Sequence, residues 1–265
     1  MIDFKRILFP VDFSDQTRAV VPFVRAMAKC FDSEVTVFHV GSTDSAELDG
    51  FVAQELPHTL TVAQLAQGDP AQEIVEFAQQ NQIGLIMLPT HGYGPFRALL
   101  LGSVTAKVLH DAHCPVWTGV HAAEMTSHSP DRWKRMACAV DTDERDVPVI
   151  QWAAEFASMQ KLELRLIHAV AGASWVFTRE SDPSMYEFLL HAARERLAKL
   201  QEQAGVTVEV DLVAGGVGPS VHQAALASDT DLIVVGRGTP HQGLGRLRSN
   251  AYAIIREAPC PVISV

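Results

Sequence analysis

Short apolar runs alternate along this chain with longer segments whose apolar residues recur at a helical period. Five apolar runs in the first half predict buried β-strands, at residues 6–11, 35–40, 59–66, 85–88 and 114–120. The segments between them predict helices at 14–31, 70–80 and 103–112, with a short helix or a loop at 41–58. Strands that alternate with helices favour a parallel sheet covered by helices on both faces, which is an α/β fold.

The second half of the chain repeats the first. Residues 7–12 (ILFPVD) are echoed by residues 136–141 (MACAVD), and the CPV tripeptide at 114–116 recurs at 260–262. The second half predicts strands at 135–140, 162–169, 206–213, 231–235 and 261–265. It predicts helices at 146–159, 183–204, 219–228 and 249–257. A repeat of this length indicates two duplicated domains, because solenoid repeats are far shorter.

The domain boundaries follow from the repeat and from a polar segment between the halves. We expect domains at residues 1–120 and 134–265, joined by a linker at 121–133 made mostly of small and polar residues. The main insertion in the second half is the helix at 183–204. Its apolar residues partly follow a helical stripe, so we expect core packing for Met185, Phe188, Leu189, Ala192, Leu197 and Leu200.

Composition and charge narrow the class of protein. The 265 residues are 48% apolar, which is enough for the cores of two domains of common size. The net charge of −10 and the lack of a basic stripe argue against nucleic acid as a partner. The sequence has neither an apolar run long enough to span a membrane nor a signal peptide, so we expect a cytoplasmic protein without a membrane partner. We interpret the four widely spaced cysteines as reduced core thiols.

The segment after the fourth strand carries a glycine pattern suited to a phosphate group. Gly92 lies in the loop after residues 85–88, and Gly102-Ser103 begins the next helix after nine intervening residues. Backbone N–H groups at the helix start and a hydroxyl then point to one place beyond the strand ends. Ligands of open α/β sheets bind in that region. The alternative is an ordinary helix start at which Ser103 serves as a cap without a ligand.

The glycine pattern and the repeated halves resemble the universal stress protein family, whose phosphate loop reads G-x2-G-x9-G-[S/T]. The resemblance covers residues 2–120 and 134–265, with Pro89 in place of the first glycine. It implies two flavodoxin-like (Rossmann-like) domains, each with a five-stranded parallel sheet in the order 3-2-1-4-5 and helices on both faces. It also implies a homodimer and a bound cofactor, ATP or another adenine nucleotide, which can carry Mg²⁺.

The resemblance implies roles for five residues of the N-terminal half. Asp12 matches an aspartate that lies near the ribose or adenine, and Val40 matches the residue whose backbone holds the adenine edge. Gly92, Gly102 and Ser103 match the phosphate-binding residues. For Asp12, a turn or cap residue before the first helix is the alternative interpretation. We therefore expect a nucleotide site in the N-terminal domain.

The second half departs further from the family pattern. Its loop, which starts with Gly236 and Gly238, is one residue shorter, and Arg248-Ser249 replaces the closing Gly-Ser pair. Arg248 could clamp an anion, fill the site itself, or be an ordinary surface arginine. Asp141 stands where the first half has its aspartate. We include these five residues as candidate binding residues, and we expect the two sites to be unequal.

Three functions stay open at this level. The leading one is a stress-related regulatory protein that binds an adenine nucleotide, mainly in the N-terminal domain. An interaction module with degenerate crevices and an unknown protein partner is the alternative, favoured by Pro89 and Arg248. A slow nucleotide hydrolase is favoured less, because the sequence lacks the G-x4-G-K-[S/T] and G-x-S-x-G motifs. His110 and His113 have no assignable third ligand, so we expect no metal site, and the missing motifs favour a binding protein over an enzyme.

Overall fold

The computed structural model describes residues 2–90, 101–119, 132–170, 183–238 and 249–265. The chain forms two compact units. The described part of each unit contains five strands and four α-helices that alternate along the chain. The sheets are parallel with helices on both faces, as in the flavodoxin-like fold, and the predicted fold class is confirmed.

The first unit follows the pattern of apolar runs closely. Its strands are β1 (Arg6–Pro10), β2 (Glu34–Val40), β3 (Thr61–Ala66), β4 (Leu85–Pro89) and β5 (Val116–Gly119). Its helices are α1 (Asp15–Phe31), α2 (Ser45–Glu55), α3 (Pro70–Gln80) and α4 (Ser103–Asp111). The segment 41–58, for which the sequence left a helix or a loop open, therefore contains a helix.

The strand order in the first unit is β3-β2-β1-β4-β5, which confirms the order implied by the resemblance. β1 pairs in parallel with β2 on one side and with β4 on the other. All five residues of β4 are buried, as expected for a strand covered by helices on both faces. The chain changes direction across the sheet between β1 and β4, so the crevice beyond their carboxyl ends is the expected place for a ligand.

Helix starts in the first unit coincide with polar caps. The backbone N–H of Thr17 donates to Ser14 Oγ at the start of α1 (3.2 Å). At the start of α3, the N–H of Gln72 donates to Asp69 Oδ1 (2.9 Å), and Pro70 is the first helical residue. Lys107 of α4 also contacts Asp69 Oδ1 (3.0 Å). The Gln72 N–H, and then Lys107, hold the pKa of the Asp69 carboxyl below its usual value.

The second unit has the same order of elements and the same topology. Its strands are β6 (Arg135–Ala139), β7 (Glu163–Val170), β8 (Glu209–Ala214), β9 (Leu232–Val235) and β10 (Val262–Ser264). Its helices are α5 (Val147–Gln160), α6 (Pro183–Ala204), α7 (Val217–Ala227) and α8 (Ser249–Glu257). A 3₁₀ turn at Glu144–Asp146 precedes α5. The strand order is β8-β7-β6-β9-β10, so the second unit also has a switch point, between β6 and β9.

The buried face of α6 matches the predicted one only in part. Met185 and Phe188 are exposed, so their predicted place in the core is wrong. Leu197 and Leu200 are buried as predicted, and they form one buried stripe with Leu190 and Ala193. The four buried residues recur at a helical period and share one face of the helix. Met185 and Phe188 lie on a different face. Although α6 has 22 residues, no helix in the described ranges is long and apolar enough to cross a membrane.

The cysteines do not share one environment. Cys138 and Cys260 are fully buried, as predicted, and burial raises the pKa of both thiols. Nearby acidic groups, Asp146 for Cys138 and Asp231 for Cys260, raise it further. Cys30 is exposed and so is not a core thiol, because it lies in the last turn of α1 on the face away from the sheet.

This difference predicts selective alkylation. When the native protein is treated with iodoacetamide, we expect Cys30 to be modified and Cys138 and Cys260 to stay unmodified, because the reaction needs an accessible thiolate. Peptide mass spectrometry before and after denaturation measures this directly. Modification of the two buried thiols at the rate of Cys30 in the native protein would contradict the described packing.

Candidate functional site

A cavity of about 370 Å³ lies beyond the carboxyl ends of β1, β2 and β4 in the first unit. Its floor comes from the strand ends, and its walls come from the first turns of α3 and α4. The lining residues are Pro10, Val11, Asp12, Thr17, Phe38, His39, Val40, Pro70, Ile74, Leu88, Pro89, Gly102, Ser103, Val104 and Thr105. The sequence therefore placed the crevice correctly, and the structure brings Asp12, Val40, Gly102 and Ser103 around it.

Asp12 is a turn residue and also lines the cavity. Its Oδ1 accepts hydrogen bonds from the Ser14 N–H (3.1 Å), the Ser14 hydroxyl (2.6 Å) and the Thr17 hydroxyl (2.5 Å). Within the described part of the chain, every hydrogen bond to this carboxylate falls on Oδ1. The next residue, Phe13, has a left-handed backbone (φ 58°), which is uncommon for a bulky side chain. The two interpretations of Asp12 are therefore compatible.

Val40 presents backbone groups to the crevice. The N–H of Val11 donates to Phe38 O, so Phe38 faces β1, and the N–H of Gly41 donates to Ala66 O on the β3 side. Because backbone direction alternates along a strand, Val40 faces the β1 side as Phe38 does. The pairing of β1 with β2 ends at Pro10 and Phe38. Val40 is in register with Ala66 of β3, but among the described residues its N–H and C=O have no partner on β1, so they lie beside the crevice.

The start of α4 forms the other end of the cavity. Gly102 is the N-cap residue, and its position has no side-chain cap among the described residues. Its N–H donates to Thr90 O (2.9 Å), and the Thr105 hydroxyl donates to Pro89 O (2.9 Å). The remaining first-turn N–H groups and the exposed Ser103 hydroxyl are suited to an anion. Gly92, the middle glycine of the predicted phosphate loop, lies outside the described residues.

His39 and Val104 also line the cavity, although neither belongs to the glycine pattern. The Nδ1 atom of His39 lies 2.8 Å from Val11 O, and its ring lies 4.8 Å from the Phe13 ring. Because a carbonyl only accepts, Nδ1 carries the proton, and Nε2 is the ring nitrogen left for other contacts. The internal repeat of the sequence draws attention to His39, because His168 occupies the equivalent position. In the structure His168 makes the same 2.8 Å contact, with Val140 O. Nothing in the sequence marks Val104 as a residue of the site.

The equivalent crevice of the second unit is nearly closed, with a volume of about 20 Å³. Asp141 and Gly236 line it, but its carboxylate side differs from that of the first unit. Asn250 Nδ2 donates to Asp141 Oδ1 (2.9 Å), and the N–H of Asp141 donates to Asp146 Oδ2 (2.8 Å). A Cβ on Gly236 would lie 2.7 Å from a Val149 methyl, so α5 packs directly against this glycine.

The other candidates of the second half contribute less to this crevice. Gly238 has a positive φ of 63°, which favours glycine, and it does not belong to the described lining of the crevice. Ser249 begins α8. Arg248 lies outside the described residues.

Comparison with known proteins decides the family. The model of the universal stress protein family matches residues 46–118 and 132–265, which is more than half of the chain. The chain belongs to the universal stress protein family. Its two matched segments agree with a tandem arrangement of universal stress protein domains.

Individual relatives support this assignment. A universal stress protein of Methanocaldococcus jannaschii is 31% identical over 138 residues, which cover 43% of this chain and 80% of the relative. One from Thermus aquaticus is 29% identical over 132 residues, covering 43% of this chain and 96% of the relative. A solved universal stress protein of Archaeoglobus fulgidus shares the fold across both halves, with a TM-score of 0.70, 21% identity and 98% coverage of each chain.

Proposed function

We propose that this universal stress protein is a stress-related regulatory protein that binds ATP or a related adenine nucleotide in the cavity of its first unit. The observation that carries the proposal is that one cavity at the switch point contains both the backbone of Val40, which has no β1 partner among the described residues, and the helix start at Gly102-Ser103. A nucleotide needs both, one for its base and one for its phosphates.

The base end of the cavity suits adenine. Val40 offers one N–H and one C=O on the same side of the strand, and the Watson–Crick edge of adenine offers an acceptor (N1) beside a donor (N6). Guanine presents the reverse order on that edge. The apolar side chains of Val11, Ile74 and Leu88 provide the flat contacts that a purine ring requires.

The sugar and phosphates have separate partners. Asp12 Oδ1 is engaged by Ser14 and Thr17, which leaves Oδ2 for a ribose hydroxyl. The first turn of α4 and the Ser103 hydroxyl would receive the phosphates. Asp12 is the one carboxylate among the described lining residues, so any Mg²⁺ would be held mainly by the phosphates themselves.

The proposed role is binding rather than turnover. The described lining residues include no lysine or arginine that could stabilise charge on a transferred phosphoryl group. The closed crevice of the second unit supports a non-binding role for that unit, such as contact with a protein partner. A homodimer and a cytoplasmic location complete the proposal, and both rest on the family.

Isothermal calorimetry on the full chain tests the proposal. We expect ATP to bind with a stoichiometry of one per chain. GTP is expected to bind at least about ten-fold more weakly, because the Watson–Crick edge of guanine places a donor opposite the Val40 N–H and an acceptor opposite its C=O. Equal affinity for ATP and GTP would argue against base recognition at Val40. The absence of heat with ATP, ADP and AMP would overturn the proposed function.

A further inference from the structure

One helix position that lines the crevice in each unit carries a different residue in the two units. Val104 follows Ser103 in the first turn of α4, and Asn250 follows Ser249 in the first turn of α8. Each residue is half-buried and lines the crevice of its own unit. The crevice with valine has a volume of about 370 Å³, and the crevice with asparagine has a volume of about 20 Å³.

Asn250 makes a contact that valine cannot make. Its amide Nδ2 donates to Asp141 Oδ1 (2.9 Å), although the two residues are 109 positions apart in the sequence. Asp141 follows β6 as Asp12 follows β1, so its carboxylate is the one that a bound ribose would contact. The amide of Asn250 therefore occupies an acceptor position of the Asp141 carboxylate that a ligand hydroxyl would otherwise use.

A second residue difference between the units also disfavours a ligand in the second crevice. In the first unit, Thr17 donates its hydroxyl to Asp12 Oδ1. The equivalent residue of the second unit is Asp146, which is 3% exposed and accepts the N–H of Asp141 instead. A second carboxylate thus lines the crevice beside the first, which opposes an anionic ligand. The amide donor of Asn250 also compensates part of this negative charge.

We propose that Asn250 is an internal latch: its bond to Asp141 closes the crevice of the second unit, and the residue at this helix position decides whether a unit is open to a ligand. The latch is a contact within the second unit, and its consequence for the first cavity rests on the proposed function. Arg248 is a separate difference between the two halves of the sequence, and it lies outside the described residues.

Reciprocal variants of the full chain test the latch. Val104→Asn installs the amide opposite Asp12, and its crystal structure is expected to show this amide hydrogen-bonded to Asp12 and a narrower cavity, because the two side chains then bridge it. ATP affinity is then expected to fall by about 100-fold or more, since base, ribose and phosphates no longer fit together. Leucine has nearly the shape of asparagine but no amide donor, so we expect a clearly smaller loss for Val104→Leu.

The reverse variant is Asn250→Val, whose crystal structure is expected to show a wider crevice with Asp141 released. A crevice that stays closed in Asn250→Val would overturn the latch. So would a Val104→Asn side chain that turns away from Asp12, or ATP binding by that variant at wild-type affinity. If wild-type protein fails to bind ATP while both crystal structures change as expected, the latch stands and the proposed function fails.

Discussion

Replacing Gly102 with arginine is expected to abolish nucleotide binding by the first unit. Gly102 lines the cavity at the N-terminus of α4, where its small size allows phosphate oxygens to approach the backbone. An arginine there places a long side chain into the phosphate end of the cavity. The expected loss in ATP affinity, measured by calorimetry, is about 100-fold or more, which is roughly 3 kcal/mol.

A matched control separates this local effect from the effect of an added charge. Gly50 lies on the exposed face of α2, and a Cβ built there meets no atom within 4 Å. Gly50→Arg adds the same charge outside the cavity, and we expect ATP affinity close to that of the wild type. If Gly102→Arg binds ATP as well as Gly50→Arg does, the phosphates do not lie at the start of α4.

The variant Pro89→Gly is expected to bind ATP about ten-fold more tightly than the wild type. The N–H groups of Ile86 and Thr90 donate to residues of the β5 side, at Pro115 and Gly119. Strand alternation then directs position 89 to the opposite side, toward the end of β1 and the cavity that Pro89 lines. Proline has no N–H to offer there. A hydrogen bond to a charged group contributes about 1.5–3 kcal/mol, which corresponds to ten-fold or more in affinity.

Thermal unfolding and calorimetry on the same samples check this prediction. Pro89→Gly should also lower stability slightly, by about 0.4–1 kcal/mol, because the unfolded chain gains freedom. Pro115→Gly carries the same entropic cost at a proline outside the cavity lining, and we expect unchanged ATP affinity. Unchanged or weaker binding by Pro89→Gly would show that a donor at position 89 does not reach the ligand.

The fold was predictable because its signals are local and repeated. A strand such as Leu85–Pro89 is recognisable from its own apolar run. The starts of helices are recognisable from cap residues such as Ser14 and Asp69, so each element can be located from a few neighbouring residues. The buried face of α6 was harder to predict, because apolar residues lie on two faces and packing against the sheet selects Leu197 and Leu200 over Phe188. Cys30 shows the same limit, since an apolar neighbourhood in sequence does not fix which face of α1 is buried.

The candidate site was predictable in part. Its position followed from the strand order that the family resemblance implies, and the glycine pattern predicted Gly102 and Ser103, which line the cavity. Val104 and Asn250 gave no sequence signal, because a residue in the first turn of a helix has meaning only once its neighbour across the crevice is known. The contact between Asn250 and Asp141 joins residues 109 positions apart, and no periodicity of the chain encodes it.

A crystal structure of the full chain grown with saturating ATP would show directly where the nucleotide binds. We expect one nucleotide per chain, in the cavity of the first unit, with the adenine edge on the N–H and C=O of Val40 and the phosphates at the start of α4. The crevice of the second unit should stay closed by Asn250 and Asp141. An empty first cavity, or a nucleotide bound only in the second unit, would show that the first unit is not the nucleotide site.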